Sequence, residues 1–338
     1  MRTIEESRKG IAVVVDEDGH LIGTLTDGDI RRALLMGLAL SEPVQTLLDC
    51  KQAGPYPTPI TASAGTSREG LIELMAANSV QQLPLLDEQN RVVDLVRLRD
   101  LVIGTTTPLQ AVIMAGGYGR RMAELTTNLP KPMLPIGDSP LLELIIKQLR
   151  NTGIHRVNLA THFQPEKITD YFGNGERLDV EINYVREDEP LGTAGVLSLM
   201  PTPDEPLLVI NGDILTNVDF ESMFSYHQEH QADLTVAVRK YEMQVPYGII
   251  ENDEWRVSGL QEKPLFEFLV NAGIYLLSPS AFAFVPSGQH FDMTDLIQIL
   301  IKAGKTVACF PVHEYWLDIG RPADYSKAQQ DVKDGKLN

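Results

Sequence analysis

The chain has 338 residues, of which 43% are hydrophobic and 22% charged, as in an ordinary globular protein of two or three domains. Its net charge of −17 argues against nucleic acid or an anionic membrane as partner, because both are polyanions. Any anionic substrate must therefore be held by cations placed locally. The sequence shows neither a signal peptide nor an apolar run of membrane-spanning length, so we expect a cytoplasmic protein.

Cysteine usage favours a reduced compartment. The two cysteines, Cys50 and Cys309, have neither metal-site nor disulfide spacing. We expect both to be buried small apolar residues.

Residues 1–105 contain a unit of strand, turn, strand and helix that occurs twice. The first copy reads as strand 10–15, turn 16–19, strand 20–25 and helix 30–36; the second as helix 67–78, strand 82–86, turn 87–90, strand 91–96 and a helix from 97. The first copy starts too near the beginning of the chain for a full counterpart of helix 67–78. We therefore expect a first repeat that is truncated at its N-terminus.

This repeat resembles a pair of CBS domains over residues 1–105, through the stretch GTLTDGD at 23–29. The resemblance implies that Thr26 and Asp29 contact the ribose of an adenine nucleotide. In the second copy Arg97 replaces the threonine, and only Asp100 matches as an expected contact of the regulatory nucleotide. Thr26 and Asp29 are also suited to cap a helix, and the two roles are compatible. A proline-rich link at 52–60 lies inside the pair, and a polar joint at 105–108 follows it.

The stretch from 109 to 135 carries the signature of a polyphosphate site. Its apolar run at 111–114 predicts a buried parallel strand, which breaks into the glycine-rich turn 116–119. Cations follow at Arg120, Arg121 and Lys131. Backbone amides of such a turn cradle phosphates, and fixed cations neutralise them. The spacing is neither that of a Walker loop nor that of a dinucleotide fingerprint.

From 109 to about 328 apolar strands alternate with helical segments, which predicts a mainly parallel sheet with helices on both faces. Ligands of such sheets bind beyond the carboxyl ends of the strands. Asp213, in Asn211-Gly212-Asp213, and Asp318 both end predicted strands. One or two carboxylates, with the other positions left to phosphate and water, are typical of Mg²⁺.

Residues 109–328 look like a sugar-1-phosphate nucleotidyltransferase. The motifs, in order, are AGGYGRRM (115–122), LPKPMLP (129–135), PLGTAG (190–195), NGD (211–213), EKP (262–264) with NAGIY (271–275), and WLDIG (316–320). The resemblance implies an α/β fold: a mixed, mainly parallel, Rossmann-like (glycosyltransferase-A-like) catalytic domain over 109–338, after a small α+β CBS pair. Arg120, Met122 and the pair Ala123-Glu124 depart from the family pattern, whereas Arg121 is retained.

The reaction implied by the resemblance is in-line attack of a sugar-1-phosphate oxygen on the α-phosphorus of a nucleoside triphosphate, with loss of pyrophosphate. Its catalytic residues would be Arg121 on the β and γ phosphates, Lys131 near the α-phosphate and Lys263 on the sugar phosphate, with Mg²⁺ on Asp213 and Asp318. The expected nucleotide-binding residues are Ala115, Gly116, Gly117, Gly119, Glu187 and Gly192, and the expected sugar-binding residues are Gly248, Glu262, Asn271 and Thr193.

Glu187 carries the prediction about the base. Relatives that use uridine or thymidine triphosphate commonly have glutamine five residues before the equivalent of Gly192, where this chain has Glu187. A carboxylate can accept both N1–H and the N2 amino group of guanine, whereas uracil and thymine offer only one donor. We therefore predict GTP over UTP or dTTP. The alternative is that Glu187 faces solvent within the charged run 186–189.

The CBS pair ahead of this domain resembles guanylyltransferases that activate glucosamine 1-phosphate for legionaminic-type sugars, so the predicted product is GDP-glucosamine. Mannose 1-phosphate guanylyl transfer and uridylyl or thymidylyl transfer remain open, as does a catalytically inactive adenine-nucleotide sensor. A homodimer or higher oligomer is a further hypothesis, since CBS modules often pair face to face.

Overall fold

The computed structural model describes residues 2–7, 9–39, 41–52, 57–101, 109–117 and 119–337. It divides into two compact units, Met1–Thr106 and Thr107–Asn338. The polar joint at 105–108, residues 53–56 of the proline-rich link, and the side chains of Arg120, Ala123 and Glu124 lie outside the described part of the chain.

The front unit contains the predicted repeat. Its elements are α1 (Arg2–Ser7), β1 (Ile11–Val15), β2 (Leu21–Thr26), α2 (Asp27–Leu35), α3 (Val44–Lys51), β3 (Ala62–Ser63), α4 (Arg68–Asn78), β4 (Gln82–Leu86), β5 (Val92–Arg97) and α5 (Leu98–Leu101). β1 pairs with β2 and β4 with β5, both antiparallel. The two turns close alike: Asp16 Oδ1 accepts from the amides of Asp18 and His20, and Asp87 Oδ1 from those of Gln89 and Arg91. The helix before the first hairpin has 6 residues, against 11 before the second.

The second unit is built on one large sheet. Its elements are β6 (Gln110–Met114), α6 (Ala123–Thr126), β7 (Pro135–Ile136), β8 (Ser139–Pro140), α7 (Leu141–Asn151), β9 (Arg156–Thr161), α8 (Pro165–Phe172), β10 (Glu181–Arg186), α9 (Gly192–Gly195), β11 (Leu207–Asn211), β12 (Ile214–Thr216), α10 (Phe220–Glu229), β13 (Leu234–Gln244), β14 (Ile249–Asp253), β15 (Arg256–Gln261), β16 (Leu265–Leu277), α11 (Met293–Lys302), β17 (Val307–Val312), β18 (Trp316–Asp318) and α12 (Pro322–Lys333).

The seven strands of this sheet run in the order β10-β9-β6-β11-β16-β13-β17. Only β16 is antiparallel to its neighbours, so the predicted mixed, mainly parallel sheet is confirmed. Both faces are covered: Ala111 and Ile113 of β6 enter one buried cluster, and Val112 between them enters another. That double burial explains why β6 reads as a continuous apolar run.

A long antiparallel extension leaves the sheet. β13 continues beyond Arg239, where its pairing with β17 ends, to Gln244, and residues 240–244 pair with residues 265–269 of β16. β14 and β15 form a hairpin between these two strands. We call residues 240–270 the arm; every one of them is exposed or half-buried. Sequence periodicity did not indicate this excursion.

The burial predicted for the cysteines is wrong: Cys309 is exposed and Cys50 half-buried, and neither is in a disulfide. Cys309 lies on β17, an edge strand, which is covered less completely than the central strands. No helix in the described residues combines the length and apolar character needed to cross a bilayer.

Candidate active site

The glycine-rich loop follows the carboxyl end of β6 and folds back over the lysine segment. Gly119 has φ +61°, and a Cβ there would lie 2.9 Å from Thr126 Cγ2 and 3.2 Å from Lys131 Cβ. The Thr126 hydroxyl donates to the Gly119 carbonyl oxygen over 3.0 Å. Only glycine combines this left-handed conformation with so close an approach. By contrast, apart from its chain neighbours, no described residue has an atom within 4 Å of the position that a Cβ on Gly117 would take, so the loop is open there. Ala115, which precedes the loop, is buried and donates its amide to the Ala160 carbonyl.

The predicted pair of aspartates is assembled by a short antiparallel ladder. β12 pairs with β18, placing Ile214 opposite Asp318, and the Asp213 carbonyl accepts from the Ile319 amide over 2.9 Å. Lys131 Nζ lies 2.5 Å from Asp213 Oδ2. A Cβ on Gly212 would lie 2.5 Å from the Met114 carbonyl oxygen, so this turn packs directly on the end of β6. The structure therefore joins the glycine loop, Lys131 and both aspartates.

The electrostatics of the pair fit a bound divalent cation. Burial and the neighbouring Asp213 carboxylate raise the pKa of Asp318, whereas Lys131 and Arg121 act to lower it. Arg121, an exposed residue, thus lies close enough to influence the site. Two carboxylates that repel each other in a partly buried site are oxygen ligands of the kind that Mg²⁺ prefers. The donor set fits the metal predicted for Asp213 and Asp318.

Glu187 turns toward the glycine loop and not toward solvent. Its Oε1 would lie 3.0 Å from a Cβ on Gly116, and its Oε2 accepts from the Leu191 amide over 2.9 Å. It is half-buried, whereas its neighbours Arg186 and Asp188 are exposed. Burial raises the pKa of Glu187, against the lowering effects of the Leu191 hydrogen bond and of His162. The solvent-facing alternative is excluded.

Gly192 and Thr193 are built against the start of α11. Gly192 has φ +80°, and a Cβ there would lie 2.7 Å from Asp292 Oδ1. That same oxygen accepts from the Thr193 amide at 3.0 Å and from its hydroxyl at 3.2 Å. The Thr193 hydroxyl also accepts from the Met293 amide. Thr193 therefore holds the start of α11, and its contact with a sugar stays a prediction.

Asn271 is tied to the Asn211 turn. Its Oδ1 accepts from the Gly273 amide over 2.9 Å, and its Nδ2 donates to the Tyr275 hydroxyl over 2.8 Å. A Cβ on Gly273, whose φ is +71°, would lie 2.7 Å from Asn211 Nδ2. Trp316 Nε1 donates to the Ala272 carbonyl over 2.8 Å. Three of the motifs, NAGIY, NGD and WLDIG, thus meet in space.

The remaining predicted sugar and phosphate residues lie on the arm. A Cβ on Gly248 would lie 2.9 Å from Glu262 Oε2, so these two residues face each other. Lys263 is exposed and has φ +45°, an uncommon conformation for a non-glycine residue. None of the contacts described above includes Lys263, and its role on the sugar phosphate stays a prediction.

In the front unit Thr26 and Asp29 form a capping box at the start of α2. Asp29 Oδ2 accepts from the Thr26 amide and hydroxyl, both at 2.9 Å, and from Lys51 Nζ at 2.8 Å, while Oδ1 accepts from Arg32 at 2.6 Å. Burial acts to raise the pKa of Asp29, but the hydrogen bonds from Lys51 and Thr26 hold it below its usual value. The carboxylate is thus already well supplied with donors from its own chain.

Lys51 also donates to the Thr24 carbonyl and lines a cavity of about 170 Å³. In the second repeat Arg97 binds Asp100 through two hydrogen bonds of 2.7 Å. Arg97, at the position of Thr26, therefore pairs with the very aspartate that the resemblance assigned to a ribose.

Sequence reasoning missed two residues of the site. His162 Nδ1 lies 2.9 Å from the Glu187 carbonyl oxygen, and the backbone and Cβ of His162 pack against Gly116. His162 directly follows β9, so the rule that ligands gather at strand ends could have found it. Asp292 organises Gly192 and Thr193 from a distance of 99 residues along the chain, and no local signal marks it.

Comparisons with known proteins agree with this geometry. The profile of the nucleotidyl transferase family matches residues 110–335, and that of the CBS domain matches 1–36 and 55–103. The D-glycero-alpha-D-manno-heptose 1-phosphate guanylyltransferase of Aneurinibacillus thermoaerophilus is 35% identical over 228 residues, which are 67% of this chain and 99% of that relative. The mannose-1-phosphate guanylyltransferase catalytic subunit beta of Danio rerio is 30% identical over 64% of this chain. The match covers only 62% of that protein's length.

Among solved structures, HddC from Yersinia pseudotuberculosis complexed with GMP-PN has a TM-score of 0.53 and 26% identity, over 66% of this chain and 99% of its own. A glucose-1-phosphate thymidylyltransferase described for Bacillus anthracis has a TM-score of 0.55 over 67% of this chain and 96% of its own. Its sequence identity is 21%, so this likeness shows the fold alone. The predicted family and fold are confirmed: the chain belongs to the nucleotidyl transferase family and carries CBS domains ahead of its sugar-1-phosphate nucleotidyltransferase domain.

Proposed function

We propose that this protein transfers a guanylyl group from GTP to a sugar 1-phosphate, with release of pyrophosphate. The observation that carries the proposal is Glu187, half-buried against Gly116 of the glycine loop and held by the Leu191 amide. In this proposal residues 109–338 are the catalytic domain and 1–105 are the CBS pair, with adenine nucleotide as its ligand.

The binding of the base follows from the two oxygens of Glu187. The hydrogen bond from the Leu191 amide fixes the carboxylate, and Oε1 stays on the side of Gly116. Guanine N1–H and its N2 amino group are adjacent donors that a fixed carboxylate accepts together. A pyrimidine would present a carbonyl oxygen to one carboxylate oxygen, at a penalty of about 1–3 kcal/mol for the unmatched buried group. The names of the guanylyltransferase relatives support the same base.

The chemistry needs positioning and charge neutralisation more than proton transfer, because the sugar phosphate is already an ionised nucleophile. Arg121 would bind the β and γ phosphates and stabilise the departing pyrophosphate. Lys131 would leave its ion pair with Asp213 in part to contact the α-phosphate. Mg²⁺, held by Asp213 and Asp318, supplies charge neutralisation of the phosphate oxygens when bound. Lys263, on the arm, would bind the sugar phosphate through its ammonium group.

The sugar 1-phosphate that we expect is glucosamine 1-phosphate, giving GDP-glucosamine. Gly248, Glu262, Asn271 and Thr193 would face its hydroxyls. The relatives' names add mannose 1-phosphate and a manno-heptose 1-phosphate as competitors.

The test is pyrophosphate release with GTP, UTP, dTTP and ATP against these three sugar 1-phosphates, with Mg²⁺ present. We expect GTP to be the preferred nucleotide. Glu187→Gln should reduce kcat/KM for GTP by about tenfold or more, as expected for loss of one matched buried hydrogen bond, and should favour a pyrimidine nucleotide. Glu189→Gln, an exposed carboxylate of the same run, is the matched control.

Equal or better turnover with UTP in the unaltered enzyme would exclude the guanine assignment. Failure of every pair of substrates would instead favour the inactive adenine-nucleotide sensor. In that case a direct titration with AMP and ATP should show binding at the CBS pair.

A further inference from the structure

The loop that carries the proposed base-recognition residue is fastened to a segment far along the chain. We call residues 187–195 the base loop, and residues 289–293, which lead into α11, the clamp. The Phe291 amide donates to the Leu191 carbonyl over 2.8 Å, and the Phe291 carbonyl accepts from the Gly195 amide over 2.8 Å. The clamp therefore supports the base loop at two points of its backbone.

Asp292 is the clamp residue whose side chain reaches the base loop. Its Oδ1 accepts from the Thr193 amide at 3.0 Å and from the Thr193 hydroxyl at 3.2 Å. The same hydroxyl accepts from the Met293 amide over 2.9 Å. A hydroxyl has a single proton to donate, and hydrogen bonds to an ionised carboxylate are stronger than those between neutral groups. The side chain of Asp292 thus fixes Thr193 through both its backbone and its hydroxyl.

The base loop and the clamp approach each other as closely as glycine permits. Gly192 has φ +80°, and a Cβ there would lie 2.7 Å from Asp292 Oδ1 and 2.8 Å from the Phe291 carbonyl oxygen. A Cβ on Gly195 would lie 2.6 Å from the Gln289 carbonyl oxygen. Only glycine leaves room for backbone and side chain to approach in this way. The two segments are therefore fitted to each other at two positions.

Leu191 connects the clamp to Glu187. Its carbonyl accepts from Phe291, while its amide donates to Glu187 Oε2 over 2.9 Å. Burial raises the pKa of Glu187, and the hydrogen bond from Leu191 acts against that rise. Hydrogen bonds weaken steeply as their angle departs from linearity, so a small shift of the base loop would release the carboxylate.

The other hydrogen bonds of Glu187 hold its backbone. The Glu187 amide donates to the Thr161 carbonyl over 2.9 Å, and the Glu187 carbonyl oxygen lies 2.9 Å from His162 Nδ1. Among the described residues, the Leu191 amide is the one hydrogen-bond donor to the carboxylate. The orientation of the two carboxylate oxygens therefore depends on where the clamp holds the base loop.

We propose that Asp292 is a positioning residue for nucleotide selection, which holds Thr193 so that the Leu191 amide keeps the Glu187 carboxylate turned toward guanine. This inference rests on the guanylyl transfer proposed above. Contacts to the base are made equally in the ground state and the transition state, so their loss raises KM and leaves kcat nearly unchanged. Asp292 should therefore affect the choice of nucleotide more than the rate of the chemical step.

Pyrophosphate release by the full chain with GTP and with UTP, at one fixed sugar 1-phosphate, tests this role. We expect Asp292→Ala to lower the ratio of kcat/KM for GTP to that for UTP by about fivefold or more, mainly through the KM for GTP. Asp292→Asn keeps an oxygen that accepts both bonds from Thr193, and should restore most of the ratio.

Asp295→Ala is the matched control at the start of the same helix. Asp295 Oδ2 accepts from the Asp292 amide over 3.1 Å, and Asp295 is exposed. This variant removes a hydrogen bond that caps α11 without removing a group that contacts the base loop. It should lower the thermal unfolding midpoint and leave the nucleotide ratio unchanged.

A second variant breaks the same contact from the side of the base loop. Thr193→Val removes the hydroxyl that joins Asp292 to Met293, and should lower the GTP to UTP ratio in the same direction even if Asp292→Ala does not fold. A contact of Thr193 with the sugar would change turnover with both nucleotides alike, and therefore cancels in the ratio.

A combined variant shows whether Asp292 acts through Glu187. In a Glu187→Gln background, Asp292→Ala should no longer lower the ratio, because the carboxylate that the base loop orients is absent. An equal fall in both backgrounds would contradict the proposed link.

Equal losses of kcat/KM for GTP and UTP in Asp292→Ala would overturn the inference, and so would an Asp292→Asn enzyme no more selective than Asp292→Ala. An unaltered enzyme that uses UTP as well as GTP would instead refute the proposed guanylyl transfer itself. The two failures are thus distinguished by whether selectivity is missing before or after the substitution.

Discussion

Lys131 is the cation most directly engaged with the carboxylate pair, since its Nζ lies 2.5 Å from Asp213 and it acts to lower the pKa of Asp318. In the proposed reaction Lys131 pairs with Asp213 in the free enzyme and contacts the α-phosphate when the nucleotide is bound. Its side chain is 13% exposed, whereas that of Asp213 is 30% exposed and can be solvated if the lysine is removed. Activity should therefore depend on Lys131 far more than stability does.

We expect Lys131→Met to reduce kcat by about 10²–10³, the usual effect of removing one preorganised group from the developing charge. The unfolding midpoint should change little, because partly exposed ion pairs contribute about 0–1 kcal/mol. The rate of pyrophosphate release at saturating substrates measures kcat, and thermal unfolding measures the midpoint. Lys302→Met, exposed on α11, is the control. A Lys131→Met enzyme with most of its turnover would remove this residue from the mechanism.

Gly117 and Gly212 are glycines for different reasons. We expect Gly117 to be required by the ligand and Gly212 to be required by the fold. A Cβ on Gly212 would lie 2.5 Å from the Met114 carbonyl oxygen, whereas in the described part of the chain only the sequence neighbours of Gly117 come within 4 Å of one there. Gly117→Ala should leave the unfolding midpoint unchanged but raise the KM for the triphosphate by about tenfold, because phosphate must approach this backbone closely. Gly212→Ala should lower the midpoint. An unchanged KM in Gly117→Ala would show that the open space is not a phosphate site.

At the scale of elements, Glu143 joins α7 to the segment after α8. Its side chain is 4% exposed; it pairs with Lys147 at 2.7 Å and Arg177 at 2.8 Å, and accepts from the Tyr171 hydroxyl at 2.9 Å. Burial alone would raise the pKa of Glu143, but the hydrogen bonds from Lys147, Arg177 and Tyr171 lower it to about 2. Ionisation of Glu143 is therefore more favourable in the native state than in the unfolded chain.

Because the folded pKa lies below the unfolded value, this stabilisation is present above about pH 4.5 and is lost as pH falls toward 2. Glu143→Gln should lower the free energy of unfolding by roughly 2 kcal/mol at pH 7, with a smaller difference near pH 3. Urea unfolding at the two pH values measures it, with exposed Glu166→Gln as control. Equal destabilisation at both values would show that packing, not charge, is responsible.

The whole molecule consists of two units with separate cores. One buried cluster lies within residues 71–85, and the two large clusters lie within 109–337. The heptose-phosphate relative is covered to 99% by a match that involves 67% of this chain. The match covers 228 residues, about the length of the second unit, Thr107–Asn338.

We expect residues 107–338 alone to fold and to transfer nucleotide within about tenfold of the full chain's rate, since a unit with its own core can fold by itself. Circular dichroism and pyrophosphate release measure the two properties, with the inactive Lys131→Met form of the same fragment as blank. A fragment that folds but is inactive would show that the CBS unit is needed for catalysis.

The chain by itself determined the parts of the site that follow strands directly. The glycine loop after β6 and Asp213 after β11 could be assigned because parallel strands place their carboxyl ends at one edge of a sheet. Asp318 was assigned as the end of a further strand, and the structure brings it to Asp213 through the separate antiparallel pair of β12 and β18. Lys131 was found for a similar reason, as a cation between prolines a few residues beyond the loop. Pattern and local turn chemistry suffice for such residues, and for the repeat in the front unit.

Tertiary structure decided what depends on contacts between distant segments. The sequence indicated that Glu187 is the residue that recognises the base. Only the approach of β10 to the glycine loop, however, places its side chain against Gly116. Asp292 at Thr193 and Lys51 at Asp29 leave no mark in the local sequence. The arm could not be foreseen either, because alternating apolar residues predict a covered strand, and only the packed chain shows that the face of Tyr241 and Phe268 is left uncovered.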